Sequence, residues 1–158
     1  MKKWLLISIT SVVTIACIIF FAVYSTARAP KANAEEETIA LAKKHADLDT
    51  VDDFYWYNGK ESYFTVTGKD TSGEAIVVIV AKNNGKMTVL KQSDGITEAQ
   101  ARGVLTHEKA PAKILTTRMG MKDNTPIWEM SYEDENGQLG YYSITFKDGT
   151  WVEDVSNI

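Results

Sequence analysis

From Trp4 to Tyr24 the chain runs for 21 residues without a single charge, and it then turns into an ordinary polar, patterned sequence from Glu35 onward. A helix rises about 1.5 Å per residue, so this stretch reaches roughly 31 Å, close to the thickness of a hydrocarbon core of about 30 Å. The expectation is one membrane crossing followed by a folded domain on one side.

Two other fates for the segment are weighed against that. Lys2 and Lys3 ahead of an apolar run also begin a secretory signal, and Ala32-Asn33-Ala34 offers a small-x-small cleavage site. The run is longer than a signal core of about 7–15 residues, however, and Arg28, Pro30 and Lys31 separate it from that site. Residues 1–24 are therefore read as a cytoplasmic stub and transmembrane signal anchor, with cleavage after Ala34 as the alternative. A lipoprotein would use Cys17 in Thr14-Ile15-Ala16-Cys17, but Ile18, Ile19, Phe20 and Phe21 prolong the apolar run where a polar mature start belongs. Cys17 then reads as one more small apolar residue. Lys2 and Lys3 nearly balance Arg28 and Lys31, and the free amino terminus tips the positive-inside count toward an extracellular C-terminal domain on a single-pass membrane protein. With no cysteine after Cys17, that domain has no disulfide framework.

All 21 acidic residues and 13 of the 17 basic ones lie beyond position 34, a net charge of −8. Nucleic acid, anionic lipid and anionic wall polymers repel such a surface, which leaves a protein or a small ligand as the partner. Residues 25–34 are small and polar and read as a linker spanning about 35 Å at most when extended.

The remainder divides into two similar parts. Asp70-Thr71-Ser72-Gly73 recurs as Asp134-Glu135-Asn136-Gly137, and Asn84-Gly85 as Asp148-Gly149, each displaced by 64 positions; Phe64, Val66 and Met87 match Trp128, Met130 and Trp151 at the same displacement. Each part opens on a helical pattern, Glu35 to Ala46 and Thr97 to Glu108, with acids in the first turn and His45 or His107 near the last, as the helix dipole favours. Ile39, Ala42 and Ala46, and likewise Ala101, Val104 and Leu105, form one narrow apolar face. Four strand-like runs follow each helix: 51–57, 61–69, 74–82 and 86–91, then 112–121, 126–133, 138–146 and 150–155. Asn58-Gly59 and Asn84-Gly85 signal tight hairpins. Alternation over most runs predicts antiparallel sheets with one wet face, whereas Ala75 to Ala81 is apolar throughout and needs cover on both. The fold class is α+β: an N-terminal transmembrane helix, then two modules, 35–92 and 93–158, each one helix on a four-stranded antiparallel sheet.

The chain offers little chemistry. Gly-x-Ser-x-Gly and Ser-x-x-Lys are absent, no cysteine follows Cys17, and His45 and His107 read as helix-end residues. Asp47-Leu48-Asp49, Asp52-Asp53 and Asp134-Glu135-Asn136-Gly137 have calcium-ligand chemistry without the closing Glu of a calcium loop, and turn roles account for them. No catalytic residue, cofactor or metal ligand is assigned. The aromatic run Phe54-Tyr55-Trp56-Tyr57, with Tyr63, Tyr141 and Tyr142, is more suggestive: alternation sends half of it inward and half onto the outer face, and the register decides which. Tyr55, Tyr57 and Tyr63 are the candidate partner-binding residues.

Residues Gly59-Lys60-Glu61-Ser62-Tyr63-Phe64-Thr65-Val66-Thr67-Gly68, with Asp70-Thr71-Ser72-Gly73, Gly95-Ile96-Thr97-Glu98, Trp128-Glu129-Met130-Ser131-Tyr132 and Glu135-Asn136-Gly137-Gln138, resemble the YpmB or TseB-like proteins of bacilli. The likeness runs from the anchor to the end of the chain. It implies two tandem cystatin-like modules related to PepSY domains, behind a membrane anchor. It also implies a non-enzymatic regulator of cell-wall elongation that works through a penicillin-binding-class transpeptidase. No catalytic residues carry over. Departures fall in the anchor and in the loops around Asn83 and Lys122, so they touch the contact surface more than the fold. The alternative is a PepSY-like inhibitor or chaperone of a secreted peptidase; an enzyme acting on the wall would need a polar cleft with a perturbed acid or base.

Overall fold

The computed structural model describes residues 2–156. Met1, in the expected stub, and Asn157 and Ile158, in the expected second module, lie outside the described residues. The chain forms two compact units, residues 1–36 and 37–158.

Helix α1 (Lys2–His45) supplies all the described residues of the first unit. It is long and apolar enough to cross a membrane, with a mean hydropathy of 1.9 in its apolar window. Ile18, Phe20, Phe21 and Val23 expose more than half of their surface, which a lipid environment would cover. At the end of the apolar run Phe20 stacks on Tyr24, and the Arg28 guanidinium lies 4.7 Å from the Tyr24 ring centre, an aromatic beside a cation, the pairing favoured at the ends of membrane spans.

The linker expected over residues 25–34 is helical, so Glu35 to Glu37 fall mid-helix instead of in a first turn. Ala27, Ala29, Ala32 and Ala34 explain this, since alanine is the best helix former. Pro30 interrupts the ladder, having no N–H to give the Thr26 carbonyl.

In the second unit the last turns of α1 precede β1 (Leu48–Asn58), β2 (Ser62–Asp70), β3 (Ala75–Ala81) and β4 (Met87–Lys91). A short 3-10 turn (Gln92–Asp94) leads to α2 (Glu98–Lys109), then β5 (Lys113–Lys122), β6 (Thr125–Glu133), β7 (Leu139–Thr145) and β8 (Trp151–Ser156). Both sheets are plain antiparallel meanders, ordered β1-β2-β3-β4 and β5-β6-β7-β8. Thr97 caps α2 in a reciprocal box with Gln100, satisfying two of the helix's free N–H groups.

The duplication is visible atom by atom. Asp70 Oδ1 accepts the N–H groups of Ser72 and Glu74 at 2.8 and 2.9 Å, and Asp134 Oδ1 accepts those of Asn136 and Gln138, both at 2.8 Å. Gly73 and Gly137 follow at φ 86° and 77°, a region where a side chain is strained. These aspartates serve turns, as their chemistry suggested.

Alternation sorts each strand onto two faces. Val66, Ile76, Val78 and Val80 join Ala42 of α1 in one core cluster, while Val77, Ile79 and Ala81 join a larger one with α2 and the second sheet. β3 is therefore covered on both faces, by the helix and by the other sheet. The second sheet meets the first through its edge strand β5. The Thr65 hydroxyl, fully buried, donates to the Met119 carbonyl at 2.9 Å. The Tyr57 ring lies where a side chain on Gly120 would stand, with ring atoms 2.3–2.7 Å from the position of an added Cβ. Tyr57 is itself buried and cannot swing away. Gly120→Ala is therefore expected to cost about 1–3 kcal/mol by overpacking, read as a lower urea midpoint at unchanged slope; an unshifted midpoint would show that the sheets separate easily there.

Candidate functional site

The register of β1 places Tyr55 and Tyr57 on the face opposite Phe54 and Trp56. Phe54 and Trp56 contact Phe64 ring to ring, at 6.1 and 5.2 Å between centres, on the side that carries α1. The outward orientation expected for Tyr55, Tyr57 and Tyr63 is thus corrected: they face the second sheet. Tyr57 and Tyr63 are 4% and 7% exposed, and Tyr55 is half-buried. The Tyr55 ring stands edge-on to Trp128 at 5.6 Å, and its hydroxyl donates to Glu98 Oε2 at 2.9 Å. Burial and that carboxylate raise the Tyr55 pKa far above the ordinary tyrosine value. Which of two alternating faces is inner depends on what covers the sheet, and a second sheet on the far side cannot be read from the strand itself.

Two of the three tyrosines nevertheless reach a hollow. Tyr57 and Tyr63 wall a depression of about 550 Å³ between the β1–β2 hairpin (Gly59, Lys60, Glu61) and the β5–β6 hairpin (Met121 to Asn124), with Glu129 and Glu153 on its remaining side. The Tyr63 hydroxyl donates to Glu61 Oε2 at 2.7 Å. Both phenols are pushed up to about 12, Tyr57 mainly by burial and Tyr63 mainly by the bond to Glu61, so both stay protonated donors. The β5–β6 turn is a two-residue one, with Asp123 and Asn124 both in the left-handed region at φ 47° and 62°. Asn58-Gly59, by contrast, opens a three-residue loop in which Gly59 is needed because the Tyr57 ring crosses it.

Glu129 and Glu153 belong to the face of the second sheet turned away from α2. Trp128, Met130, Tyr142 and Ile144 cluster with Ala101 and Leu105 of the helix, so Glu129, Tyr141 and Ser143 point to the other side. A cross-strand row runs Arg118, Glu129, Ser143, Glu153, and the next runs Thr116, Ser131, Tyr141, Val155. The Thr116 and Ser131 hydroxyls bond at 2.6 Å. Glu153 is paired with Lys122, whereas Glu129 has no hydrogen-bonded partner for its carboxylate among the described residues.

Burial raises the Glu129 carboxyl above its ordinary range; Arg118 opposes, the Glu153 charge adds, and Lys122 opposes again. The folded protein thus holds this proton more tightly than the unfolded chain. The stabilisation from protonation is complete below the ordinary glutamate value and is lost as pH rises through the raised one. Glu129→Gln, which keeps the shape without the charge, is expected to be more stable than the parent at neutral pH, with the difference shrinking toward about pH 4. Urea midpoints across that range check it; a constant difference would remove the burial of the charge as its cause.

His45 and His107 are both exposed, at helix ends, and the His107 ring lies 3.2 Å from Glu108. Among the described residues no group of three histidines, cysteines or carboxylates is placed to hold a metal. Sequence reasoning missed Asp123, Asn124, Glu129 and Glu153. The alternation of Glu129 with Trp128 and Met130 carried the signal, since it put the acid on the face opposite the core.

Residues 37–81, from the end of α1 through β3, match the family described as the cell wall elongation regulator TseB-like domain. Over 137 residues, 86% of this chain and 83% of the relative, the sequence is 33% identical to the Bacillus subtilis (strain 168) protein named "Probable cell wall elongation regulator TseB". The chain belongs to the TseB family. Its fold is similar to the solved structure of the YpmB protein from Bacillus subtilis, at a TM-score of 0.69 and 30% identity, covering 77% of this chain and 95% of that one. TseB kinship agrees with the resemblance carried by Gly59 to Gly68, which lies within the matched domain, and the 137 aligned residues reach past that domain into the second sheet.

Proposed function

We propose that this TseB-family chain is a single-pass, membrane-anchored, non-enzymatic regulator of cell-wall elongation that acts by binding a penicillin-binding-class transpeptidase outside the membrane. Its parts are the stub and signal anchor 1–24, the linking stretch 25–34, and two cystatin-like, PepSY-like modules, 35–92 and 93–158. The observation that carries this reading is the family membership itself. The non-enzymatic part of the reading rests on that kinship: the hollow does hold a carboxyl with raised pKa, Glu129, but its other glutamates are engaged, Glu61 by the Tyr63 hydroxyl and Glu153 by Lys122.

A photo-crosslinking residue at Tyr141, exposed on the sheet face turned away from α2, tests the reading in intact cells. The expected capture is a membrane-anchored transpeptidase; a secreted peptidase captured in its place would favour an inhibitor or chaperone, and no specific adduct would sink the binding role. Topology has its own check. Protease added to wall-stripped cells is expected to remove the domain and leave a membrane stub of roughly 30 residues, by the length of the span. Protection of the domain would invert the orientation, and a soluble protein beginning at Glu35 would mean cleavage.

A further inference from the structure

We propose that the hollow between the β1–β2 and β5–β6 hairpins is a socket for a basic side chain, arginine or lysine, presented by the protein partner. The inference rests on the binding role above and deepens it by naming the contact. The volume of about 550 Å³ is far larger than a guanidinium or ammonium head needs, so a side chain enters with part of its backbone. Its chemistry is one-sided: Glu61, Asp123, Glu129 and Glu153 line it against Lys60 and Lys122 alone.

These carboxylates are not equivalent. Glu61 already accepts from Tyr63 and Glu153 from Lys122, while the half-buried Glu129 carboxylate feels the charges of Arg118 across the strands and of Lys122 but has no hydrogen-bonded partner among the described residues. A half-buried carboxylate lacking a donor gains most from a cation that brings its own N–H groups. Tyr57, Tyr63 and Met121 form the apolar part of the lining; the two tyrosines, 4% and 7% exposed, offer it little surface, enough for the stem of a long basic side chain to touch. The row beyond Glu129 and Ser143 holds Tyr141 and Val155 side by side, 38% and 41% exposed. Successive rows lie about 7 Å apart along a strand, so an apolar group of the same partner can rest on them while the cation fills the socket. A cationic contact also suits a domain of net charge −8.

The test titrates the isotope-labelled full chain in detergent micelles with acetyl-Gly-Arg-Gly-amide and follows backbone amides by NMR. Shifts are expected at Tyr57, Gly59, Asn124 and Glu129. The citrulline and glutamate counterparts of the peptide are expected to leave these signals in place, and Glu129→Gln to weaken binding roughly tenfold, the loss of a charge-assisted hydrogen bond. Equal binding of the citrulline peptide, no change in Glu129→Gln, or shifts centred on Leu90 and Phe146 in the neighbouring hollow would overturn the socket. Capture of the transpeptidase from Tyr141 by a Glu129→Gln chain as efficiently as by the parent would overturn it while sparing the binding role. If the parent captures no transpeptidase, that role fails, and the peptide titration still decides the socket.

Discussion

Replacing Val78 with Asp is expected to abolish the folded state of both sheets, seen as loss of the cooperative transition in thermal and urea unfolding of the solubilised chain. Val78 is fully buried at the centre of β3, between Val66 of β2 and Val89 of β4, in the cluster that includes Ala42 of α1. A carboxylate there finds no cation, and an unpaired buried charge costs several kcal/mol even after it is neutralised. A domain of this size holds about 5–15 kcal/mol in total. The damage does not stop at the first sheet, because Val77 and Ile79 on the other face of β3 complete the core shared with Trp128, Met119 and Leu105. One transition is therefore expected to disappear, not the first of two. Val89→Asp, at a position 46% exposed on the edge strand, is the control, expected within about 0.5 kcal/mol of the parent. If Val78→Asp melts with the parent, β3 is not enclosed on both faces.

That double enclosure was legible in the sequence, since seven consecutive apolar residues leave no wet face. So were the eight strands, the second helix and the repeated turns, because alternation and Asp-x-x-Gly turn chemistry are local properties that the chain carries wherever it folds. What the sequence could not supply were relations between elements. The same alternation that separates Tyr55 and Tyr57 from Phe54 and Trp56 is silent on which pair meets α1 and which the second sheet. The start of α1 was missed for a related reason: Pro30 and a run of small residues read as a linker, and the alanines among them extend a helix already begun in the apolar segment. The candidate site lay in between. Each residue of the hollow sits where local pattern puts it, but hairpins 60 residues apart in the chain become one depression only when β5 packs against β1 and β2.

On the proposed reading of residues 1–24 as a membrane anchor, releasing the domain is the second large effect expected. If regulation depends on a partner held in the same bilayer, a chain secreted from Glu35 onward and otherwise unaltered should keep its fold and lose its effect on cell-wall elongation at native abundance. Tethering turns a two-body encounter into a local one, with an effective concentration on the order of millimolar for a short link and apparent gains of about 10²–10⁴-fold over the free domain. Overproduction of the soluble form should then recover part of the effect by mass action. Exchange of residues 4–24 for an unrelated span of equal length should recover all of it at native abundance, because nothing in the mechanism asks the span to do more than hold position. Cell length and circular dichroism on the same strains and proteins separate loss of function from loss of fold. A soluble form that works at native abundance would remove the tether from the mechanism. A foreign span that fails while the domain stays folded and anchored would instead make the apolar segment, with Tyr24 and Arg28 at its edge, a partner-contacting surface in its own right.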